Sequence, residues 1–328
     1  MKLDEIASLA GVSKTTASYV INGKADKYRI SLKTQQRVLD IVRQHDYQPN
    51  HAASLLRGGA SKTFGLIVPD LENSSYAKLA KLLERDARKQ GYHFIICCSD
   101  DSADNERLVV SSLIGRRIDV LIVASCLPAS DDFYLSVQNQ GVPVIAVDRM
   151  FNDEHFCSVI SEDFDGAAAL TRSLIELGCH SVGLVAASYD LIVSKEREQG
   201  FLAAITKSEP QVDSQICYGD RFSREQGRSI INRWLAEGQL PEGIVTTSYI
   251  LFEGVMDVLV SHPELSSKVK LATFGDHALL DMLTISVQSL PQQLELIAEK
   301  ILYLAFAAVS GKYQTGVEVV PRKLVKRS

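Results

Sequence analysis

Charged residues stand next to apolar or helical segments at two places, and at each place an arginine could bind an anion. Asp148 and Arg149 directly follow the apolar run PVIAV, and Arg197 lies in the segment KEREQGF, which we predict to open a helix. A guanidinium group presents N–H donors in a fork that matches phosphate, and a helix amino terminus adds free amides and a favourable dipole. The pattern suits a phosphorylated ligand, but from these residues alone the slightly favoured interpretation is that each arginine forms a surface salt bridge.

Sequence motifs for catalysis and for nucleotide binding are missing. No GxGxxG or P-loop follows an apolar run, and there is no GxSxG, no HExxH and no cluster of histidines. The six cysteines lie in or beside apolar runs without CxxC spacing, which is typical of buried, reduced thiols rather than of disulfides or zinc ligands. We therefore expect a protein that is not an enzyme and that uses no metal and no cofactor.

Basic charge is concentrated at the start of the chain. Nine of the 35 Lys and Arg residues, but only five of the 40 Asp and Glu residues, lie within positions 1–60 of a protein whose formal net charge is −5. The hydroxyl-rich stretch GVSKTTASYVINGK lies in this basic region. A small basic region on an acidic protein indicates that this region alone contacts a polyanion such as DNA.

Three short helices are predicted in the basic region. Apolar residues recur at helical spacing from Leu3, and Gly11 ends the first helix where a left-handed residue is favoured. Ser13 and Ser31 are placed to cap the second and third helices, since their hydroxyl groups reach the free amides of the next turn. Two short helices that are joined by a glycine turn and braced by a third form a helix-turn-helix, whose second helix fits the major groove of DNA.

From Thr63 the sequence alternates apolar runs of strand length with amphipathic segments of helix length. TFGLIVP, HFIICC, DVLIVAS and PVIAVD form one series, and SVGLVAA, EGIVTTS and VKLATFG form a second. Nearly continuous apolar strands that are joined by helices favour parallel sheets covered on both faces. The predicted fold is α/β, with two doubly wound parallel-sheet subdomains and a ligand between them at the carboxyl ends of the strands.

Two segments, LDEIASLAGVSKTTASYVINGK and then YQPNHAASLLRGG, resemble the DNA-binding head and hinge of the LacI/GalR family of bacterial repressors. The resemblance implies an all-α helix-turn-helix domain over residues 1–48, a hinge helix and linker over 49–61, and a periplasmic-binding-protein-like sensor over 62–328. It assigns base contacts to Lys14, Thr15 and Tyr19, and phosphate contacts to Thr16, Ser18, Asn22 and Thr34. In the hinge, the resemblance implies that Asn50 caps a short helix containing Ala53 and that Leu56 enters the minor groove.

The sensor of this family binds its ligand between two subdomains, which the resemblance places at about 62–160 with 291–320 and at about 161–290 with 321–328. It implies that Asp148 and Arg149 bind a sugar hydroxyl and a phosphate, and that Arg197 binds from the second subdomain. The other implied contacts are Asn73, Ser75 and Ser125 from the first subdomain, and Phe222, Ser248 and Asp276 from the second. Where the family commonly has Asn-Asp and Asp-Asp, this chain has Ser248-Tyr249 and Gly275-Asp276, which argues against a neutral sugar held by many carboxylates.

The loop GKADKYRI, between Asn22 and Ser31, is longer than the corresponding family loop and resembles the branch that regulates fructose and sucrose metabolism. This branch implies release from operator DNA by a phosphorylated fructose, fructose 1-phosphate before fructose 1,6-bisphosphate. The alternatives are a sucrose- or other sugar-responsive repressor and, less favoured, a sugar-binding protein without DNA activity. We expect a homodimer, with a tetramer as the alternative, because palindromic operators require two-fold symmetry. Without a signal peptide or a membrane span in the sequence, a cytoplasmic location is expected.

Overall fold

A computed structural model describes residues 1–47, 60–128 and 131–327 of the chain. Internal contacts separate two compact units, Met1–Ser61 and Lys62–Ser328. The described part of the first unit forms α1 (Leu3–Leu9), α2 (Lys14–Ile21) and α3 (Leu32–Gln44). The three helices predicted for the basic region are therefore confirmed.

Local signals in the sequence set the ends of these helices. Gly11 has a φ of +60°, a conformation that glycine adopts without strain, and it separates α1 from α2. The Ser13 hydroxyl accepts a hydrogen bond from the Thr16 amide at 3.1 Å, and the Ser31 hydroxyl accepts one from the Thr34 amide at 3.3 Å. The caps predicted for α2 and α3 are thus confirmed, and the buried core of the unit consists of Ile6, Ala7, Ala10, Ala17, Val20, Ala25 and Val38.

The second unit contains two parallel sheets, of which the first has helices on both faces. Its strands in the described ranges are β1 (Thr63–Val68), β2 (His93–Cys98), β3 (Val120–Val123), β4 (Val144–Val147), β5 (Cys157–Ser161) and β11 (Gly316–Val320), in the order β11-β5-β4-β3-β1-β2. Its helices are α4 (Ser74–Lys89), α5 (Ala103–Gly115), α6 (Phe133–Asn139) and α11 (Leu294–Val309). Consecutive residues Leu66 and Ile67 point to opposite faces of the sheet and are both fully buried, as expected for a sheet covered on both sides.

The second sheet repeats this architecture with five strands among the described residues. These are β6 (Ser181–Ala187), β7 (Asp213–Gly219), β8 (Gly243–Thr246), β9 (Lys270–Phe274) and β10 (Val287–Leu290), in the order β10-β9-β8-β6-β7. The helices are α7 (Asp163–Glu176), α8 (Ile192–Thr206), α9 (Arg224–Ala236) and α10 (Tyr249–Ser261), with short 3₁₀ helices at Pro263–Leu265 and Ala278–Met282. The predicted pair of doubly wound sheets is confirmed, although the sequence did not predict β7 or β10.

The chain passes between the two sheets at three places. It passes from β5 into α7 at residues 161–163, from β10 into α11 at residues 291–293, and from β11 back to the second sheet after residue 320, where Val325 pairs with Ser289 of β10. These three crossings lie close to a cavity between the two sheets, which Gln292 and Arg322 help to line.

Glycines allow α9 and α10 to pack with their backbones in direct contact. A methyl group on Gly254 would lie 2.0 Å from the carbonyl oxygen of Arg224, and one on Gly227 would lie 2.2 Å from that of Leu251. We expect Gly254→Ala to lower the free energy of unfolding by about 3 kcal/mol, because two packed helices must separate to admit the methyl group. Chemical denaturation of the purified chain measures this change.

Gly115, near the carboxyl end of α5, provides the matched control. A methyl group there meets no atom within 4 Å, so Gly115→Ala is expected to leave stability unchanged or to raise it by up to about 1 kcal/mol. Equal losses of stability in Gly254→Ala and Gly115→Ala would contradict the proposed helix contact.

Candidate functional site

A cavity lies between the two sheets, at the carboxyl ends of their strands. The residues that line it follow β1, β2 and β4 of the first sheet and β7, β8 and β9 of the second, which is where parallel sheets bind ligands. Seven of the residues predicted for the effector site line it together: Asn73, Ser75, Asp148, Arg149, Arg197, Phe222 and Ser248. Asn73 and Ser248 also cap α4 and α10, since their side-chain oxygens accept hydrogen bonds from the Ser75 and Leu251 amides.

Asp148 is held in an unusual backbone conformation next to the cavity. Its φ is +66°, in the left-handed region that residues other than glycine seldom adopt. One carboxylate oxygen accepts a hydrogen bond from the Tyr76 hydroxyl at 2.8 Å, and the other accepts one from the Gln292 amide at 2.8 Å. Burial alone would raise the pKa of Asp148, but Arg197, the Tyr76 hydroxyl and Arg149 hold this pKa below its ordinary value. Asp148 is thus a fixed, ionised acceptor for the hydroxyl groups of a ligand.

Arg149 brings a positive charge to the first-sheet side of the cavity. Arg149 is 8% exposed. Its guanidinium donates hydrogen bonds to the Asp101 carboxylate at 2.6 Å and to the carbonyl oxygen of Ser125 at 3.2 Å. Ser125, a predicted contact, does not line this cavity: it lines a neighbouring cavity, which Arg149 also lines. The Ser125 hydroxyl donates to the buried carboxylate of Glu106, so Ser125 supports Arg149 through its backbone.

Arg197 and Arg322 converge on one buried carboxylate on the opposite side. The same oxygen of Asp163 accepts a hydrogen bond from Arg197 at 2.9 Å and one from Arg322 at 2.8 Å. Both guanidinium groups also lie over the ring of Phe274, at 4.4 Å and 5.1 Å from its centroid. Two cations share one anion on this side, and Asp148 offsets part of the remaining positive charge. The paired guanidinium groups still favour an anionic ligand because their forked donors match its oxygens.

The prediction that Arg197 opens a helix is wrong. α8 begins at Ile192, so Arg197 is its sixth residue and lies in the second turn, away from the free amides. Its guanidinium instead donates to Asp163 and to the carbonyl oxygen of Thr247 at 2.6 Å. Anion binding here therefore depends on the guanidinium groups rather than on the amino terminus of α8.

Unpartnered polar atoms lie in the wall of the cavity. Among the described residues, three buried side-chain N or O atoms have no hydrogen-bond partner, and two of them, Thr247 Oγ1 and Arg322 Nε, belong to residues that line it. Such atoms are costly to bury and are seldom left without a partner, so they indicate where a ligand completes the hydrogen bonds. Burial lowers the pKa of Arg322, and the nearby Arg197 cation lowers it further although Asp163 opposes both effects. A bound phosphate would offset this destabilised charge.

Asp276, a predicted contact of the far wall, is not among the residues that line the cavity. Its carboxylate accepts hydrogen bonds from Ser289 at 2.7 Å and from Arg327 at 2.9 Å. The preceding residue, Gly275, lines the cavity instead, with a φ of +87°. The structure therefore assigns Asp276 to an ion pair with the C-terminal segment.

Seven polar residues that line the cavity were not predicted as contacts from the sequence: Asp70, Tyr76, Asp101, Thr247, Tyr249, Gln292 and Arg322. A signal for Arg322 was present, because it follows the closing strand β11 after one proline, just as Asp148 follows β4. Gln292 lies at the crossing between β10 and α11, and β10 itself was not predicted.

The predicted base-contacting residues lie on the outer surface of the first unit. Lys14 and Thr15 are exposed and Tyr19 is half-exposed, all on α2. The Tyr19 ring stacks on that of Tyr28, and the neighbouring Tyr28 hydroxyl raises the pKa of Tyr19.

Among the predicted phosphate-contacting residues, Thr16 and Ser18 lie in α2, Asn22 directly follows it, and Thr34 lies in α3. Thr16 and Thr34 share hydroxyl hydrogen bonds with the caps Ser13 and Ser31, each at 2.9 Å. The side-chain amide of Asn22 donates to the Ser18 carbonyl at 2.7 Å. The predicted hinge contacts Asn50, Ala53 and Leu56 lie outside the described residues.

The same division into two parts is found in the comparison with known families. Residues 2–50 match the family described as bacterial regulatory proteins, lacI family, and residues 61–276 match periplasmic binding proteins and sugar binding domain of LacI family. The chain belongs to the LacI family. Its helix-turn-helix is therefore the DNA-binding part of a LacI-family regulator, and the two-sheet unit is the family's sugar-binding domain.

Individual LacI-family proteins are similar over most or all of the chain. The fructose operon regulatory protein of Vibrio cholerae is 56% identical over 328 residues, which is 100% of both chains. The structure of the Cra transcriptional dual regulator of Pseudomonas putida in complex with fructose 1-phosphate has 43% identity and a TM-score of 0.78, covering 81% of this chain and 99% of that one. The lac repressor dimer bound to operator, at 21% identity, has a TM-score of 0.85 over 100% of this chain and 98% of the other, which confirms the predicted fold.

A salt bridge restrains Lys14, the residue with the longest reach on the exposed side of α2. Its ammonium lies 2.9 Å from the Asp4 carboxylate of α1, and both side chains are more than half exposed. We expect Asp4→Asn to strengthen operator binding about two- to fivefold, because it frees Lys14 and removes a negative charge near phosphate, and such exposed pairs are worth up to about 1 kcal/mol. Fluorescence anisotropy with labelled operator measures the change.

Asp40→Asn is the control for this prediction, since Asp40 forms an exposed pair with Arg43 at 3.7 Å on α3. If Asp40→Asn strengthened binding as much as Asp4→Asn, general charge rather than the release of Lys14 would be the cause.

Within residues 1–47, 60–128 and 131–327, no group of three or more His, Cys, Asp or Glu residues is placed to hold a metal ion. Over the same ranges, no helix combines the length and the apolar character needed to cross a bilayer.

Proposed function

We propose that this protein is a DNA-binding transcriptional regulator of fructose metabolism that a phosphorylated fructose releases from its operators. The observation that carries the proposal is the convergence of Arg149, Arg197 and Arg322 on a cavity that also contains the ionised Asp148. Guanidinium groups bind phosphate, and a carboxylate accepts hydrogen bonds from sugar hydroxyls. Similarity to a regulator whose structure contains fructose 1-phosphate supports this ligand ahead of fructose 1,6-bisphosphate.

Most of the predicted residues keep a role in this proposal, whereas Asp276 is replaced at the cavity by Gly275. Lys14, Thr15 and Tyr19 contact bases, while Thr16, Ser18, Asn22 and Thr34 contact phosphates. Among the effector contacts, Arg322 joins those predicted from the sequence, and Ser125 acts through its carbonyl bond to Arg149. Residues 1–48 are proposed to bind DNA, 49–61 to connect, and 62–328 to sense the effector.

The regulator is proposed to act as a cytoplasmic homodimer. Two-fold symmetry of the protein matches the two half-sites of a palindromic operator. Effector and operator are coupled when the effector prefers the arrangement of the two sheets in which operator affinity is low, and its differential affinity sets the size of the shift.

Isothermal titration of the full chain with fructose 1-phosphate, fructose 1,6-bisphosphate and sucrose tests the choice of effector. We expect fructose 1-phosphate to bind most tightly and to dissociate a complex of the protein with operator DNA. Clear binding of sucrose together with no binding of either phosphate would overturn the assignment and favour a sucrose-responsive repressor. If the protein alone does not shift upstream DNA in a gel, that result would favour a sugar-binding protein without DNA activity.

A further inference from the structure

The long loop between α2 and α3 is a well-packed part of the first unit. Its Ala25 is buried in the core, and the Ala25 carbonyl accepts a hydrogen bond from the Ile30 amide at 3.0 Å. The Lys24 amide donates to the Tyr19 carbonyl at 2.8 Å, which ties the loop to the end of α2. From α3, Gln35 donates to the Ile30 carbonyl at 2.9 Å. The loop is thus fixed at both ends and in its middle.

This loop places an aromatic ring directly against the recognition helix. The rings of Tyr28 and Tyr19 are stacked, with centroids 3.7 Å apart and planes inclined by 2°. Tyr28 remains 47% exposed although one of its faces is covered by Tyr19. On α2, Tyr19 follows Thr15 by four residues, so the stacked pair lies on the helix face that carries a predicted base contact.

The loop that carries Tyr28 is rich in basic side chains. Lys24, Lys27 and Arg29 are all exposed, and none of them has an ion-pair partner within the part of the chain that the structure describes. The one acid of the loop, Asp26, accepts a hydrogen bond from Gln35 at 3.3 Å. Three available cations next to a base-contacting helix match the charge of a DNA backbone.

We propose that residues 24–29 form a second DNA-contacting element, in which Tyr28 positions the ring of Tyr19 for base selection and the basic side chains bind phosphate. The inference rests on the proposed DNA-binding function and adds a specificity-determining residue to it. A tyrosine at a helix surface has several rotamers, and stacking on Tyr28 restricts Tyr19 to one of them. Base discrimination requires such a fixed orientation, whereas phosphate attraction does not.

The test measures selectivity separately from affinity. A duplex is first selected from a random library with the wild-type full-length chain, and single base-pair changes are then introduced at every position. We expect Tyr28→Ala to lower discrimination about tenfold at one symmetry-related pair of positions, since one base contact carries this much selectivity. Binding to non-specific DNA should stay within about twofold of the wild type, because phosphate contacts remain.

Two further variants separate positioning from a general loss of structure. Tyr28→Phe keeps the stacked ring, and it should retain discrimination within about twofold of the wild type. In a chain that already carries Tyr19→Ala, Tyr28→Ala should cause no further loss of discrimination, because Tyr28 acts through Tyr19. Leu9→Ala, at an exposed position of α1, is the control and should change neither quantity.

The basic side chains are tested by salt dependence. Lys27→Gln should reduce the slope of log affinity against log salt by about one, with unchanged discrimination between base pairs.

Several results would overturn the inference. These are unchanged discrimination in Tyr28→Ala, an equal loss in Tyr28→Phe and Tyr28→Ala, an additive loss in the Tyr19→Ala background, or an unchanged salt slope in Lys27→Gln. If the wild-type chain selects no duplex at all, the proposed DNA-binding function fails and the inference fails with it.

Discussion

Replacing Arg197 with alanine is expected to abolish the release of operator DNA by fructose 1-phosphate. Arg197 is 7% exposed. Its guanidinium lines the cavity and donates hydrogen bonds to the Asp163 carboxylate and to the Thr247 carbonyl. Loss of a buried, hydrogen-bonded charge contact costs about 3–5 kcal/mol, which corresponds to a loss of effector affinity of about 10²- to 10⁴-fold. Titration calorimetry measures the affinity, and gel shifts with rising effector measure release.

Operator binding without effector is expected to be unchanged in Arg197→Ala, because Arg322 still pairs with the Asp163 carboxylate. Arg172→Ala, an exposed arginine on α7, is the matched control and should behave as the wild type in both assays. Loss of operator affinity in the absence of effector would count against a role for Arg197 in ligand binding alone.

Replacing Arg322 with methionine is expected to weaken fructose 1-phosphate binding about 30- to 100-fold. The side chain is 3% exposed, its Nε has no partner, and its charge is destabilised by burial and by Arg197. A phosphate oxygen would complete the hydrogen bonds of this guanidinium, and a charge-assisted bond of this kind contributes about 2–3 kcal/mol. Methionine fills much of the same volume without donors, so the change tests the charge rather than the packing.

Lys323→Met changes the adjacent, exposed cation and should leave effector affinity within about twofold of the wild type, since exposed charges contribute little. Equal affinity of Arg322→Met and wild type for fructose 1-phosphate would show that the phosphate binds elsewhere, at Arg149 and Arg197 only.

The strands that the sequence predicts and those that it does not differ in composition and, for β7, also in burial. Central strands such as β3 and β4 are fully buried and read as continuous apolar runs. β7 lies at the edge of its sheet and begins with the exposed polar residues Asp213 and Ser214, and β10 has only four residues, of which Gln288 and Ser289 are polar. Apolar runs predict buried strands, so edge strands that carry polar residues are missed.

The sequence placed a residue of the candidate site correctly when that placement depends on only one neighbouring strand or helix. Asp148 and Arg149 follow a single apolar strand, and their place at its carboxyl end could be read directly from the sequence. Asp276 stands in a similar position, yet Arg327, which lies 51 residues further along the chain, binds its carboxylate. Such a long-range partner leaves no local pattern in the sequence.

The error at Arg197 has a local cause. α8 is preceded by Leu191, which provides no side-chain cap, so the usual Ser, Thr, Asp or Asn signal for a helix start is absent. The polar segment KEREQGF therefore resembled a helix start although it lies within the helix.

All three chain crossings between the sheets carry a member of one polar cluster: Asp163 at the first, Gln292 at the second and Arg322 just after the third begins. Gln292 also binds Asp148, and Asp163 binds both Arg197 and Arg322. Rotation of one sheet against the other therefore changes several of these distances together. Ligand occupancy and sheet rotation are then thermodynamically linked. The linkage is reciprocal. Binding of operator must therefore lower the affinity for the effector by the same factor by which the effector lowers the affinity for operator. A protein molecule bound to its operator therefore needs a higher concentration of sugar phosphate for half-saturation than the same molecule free of DNA.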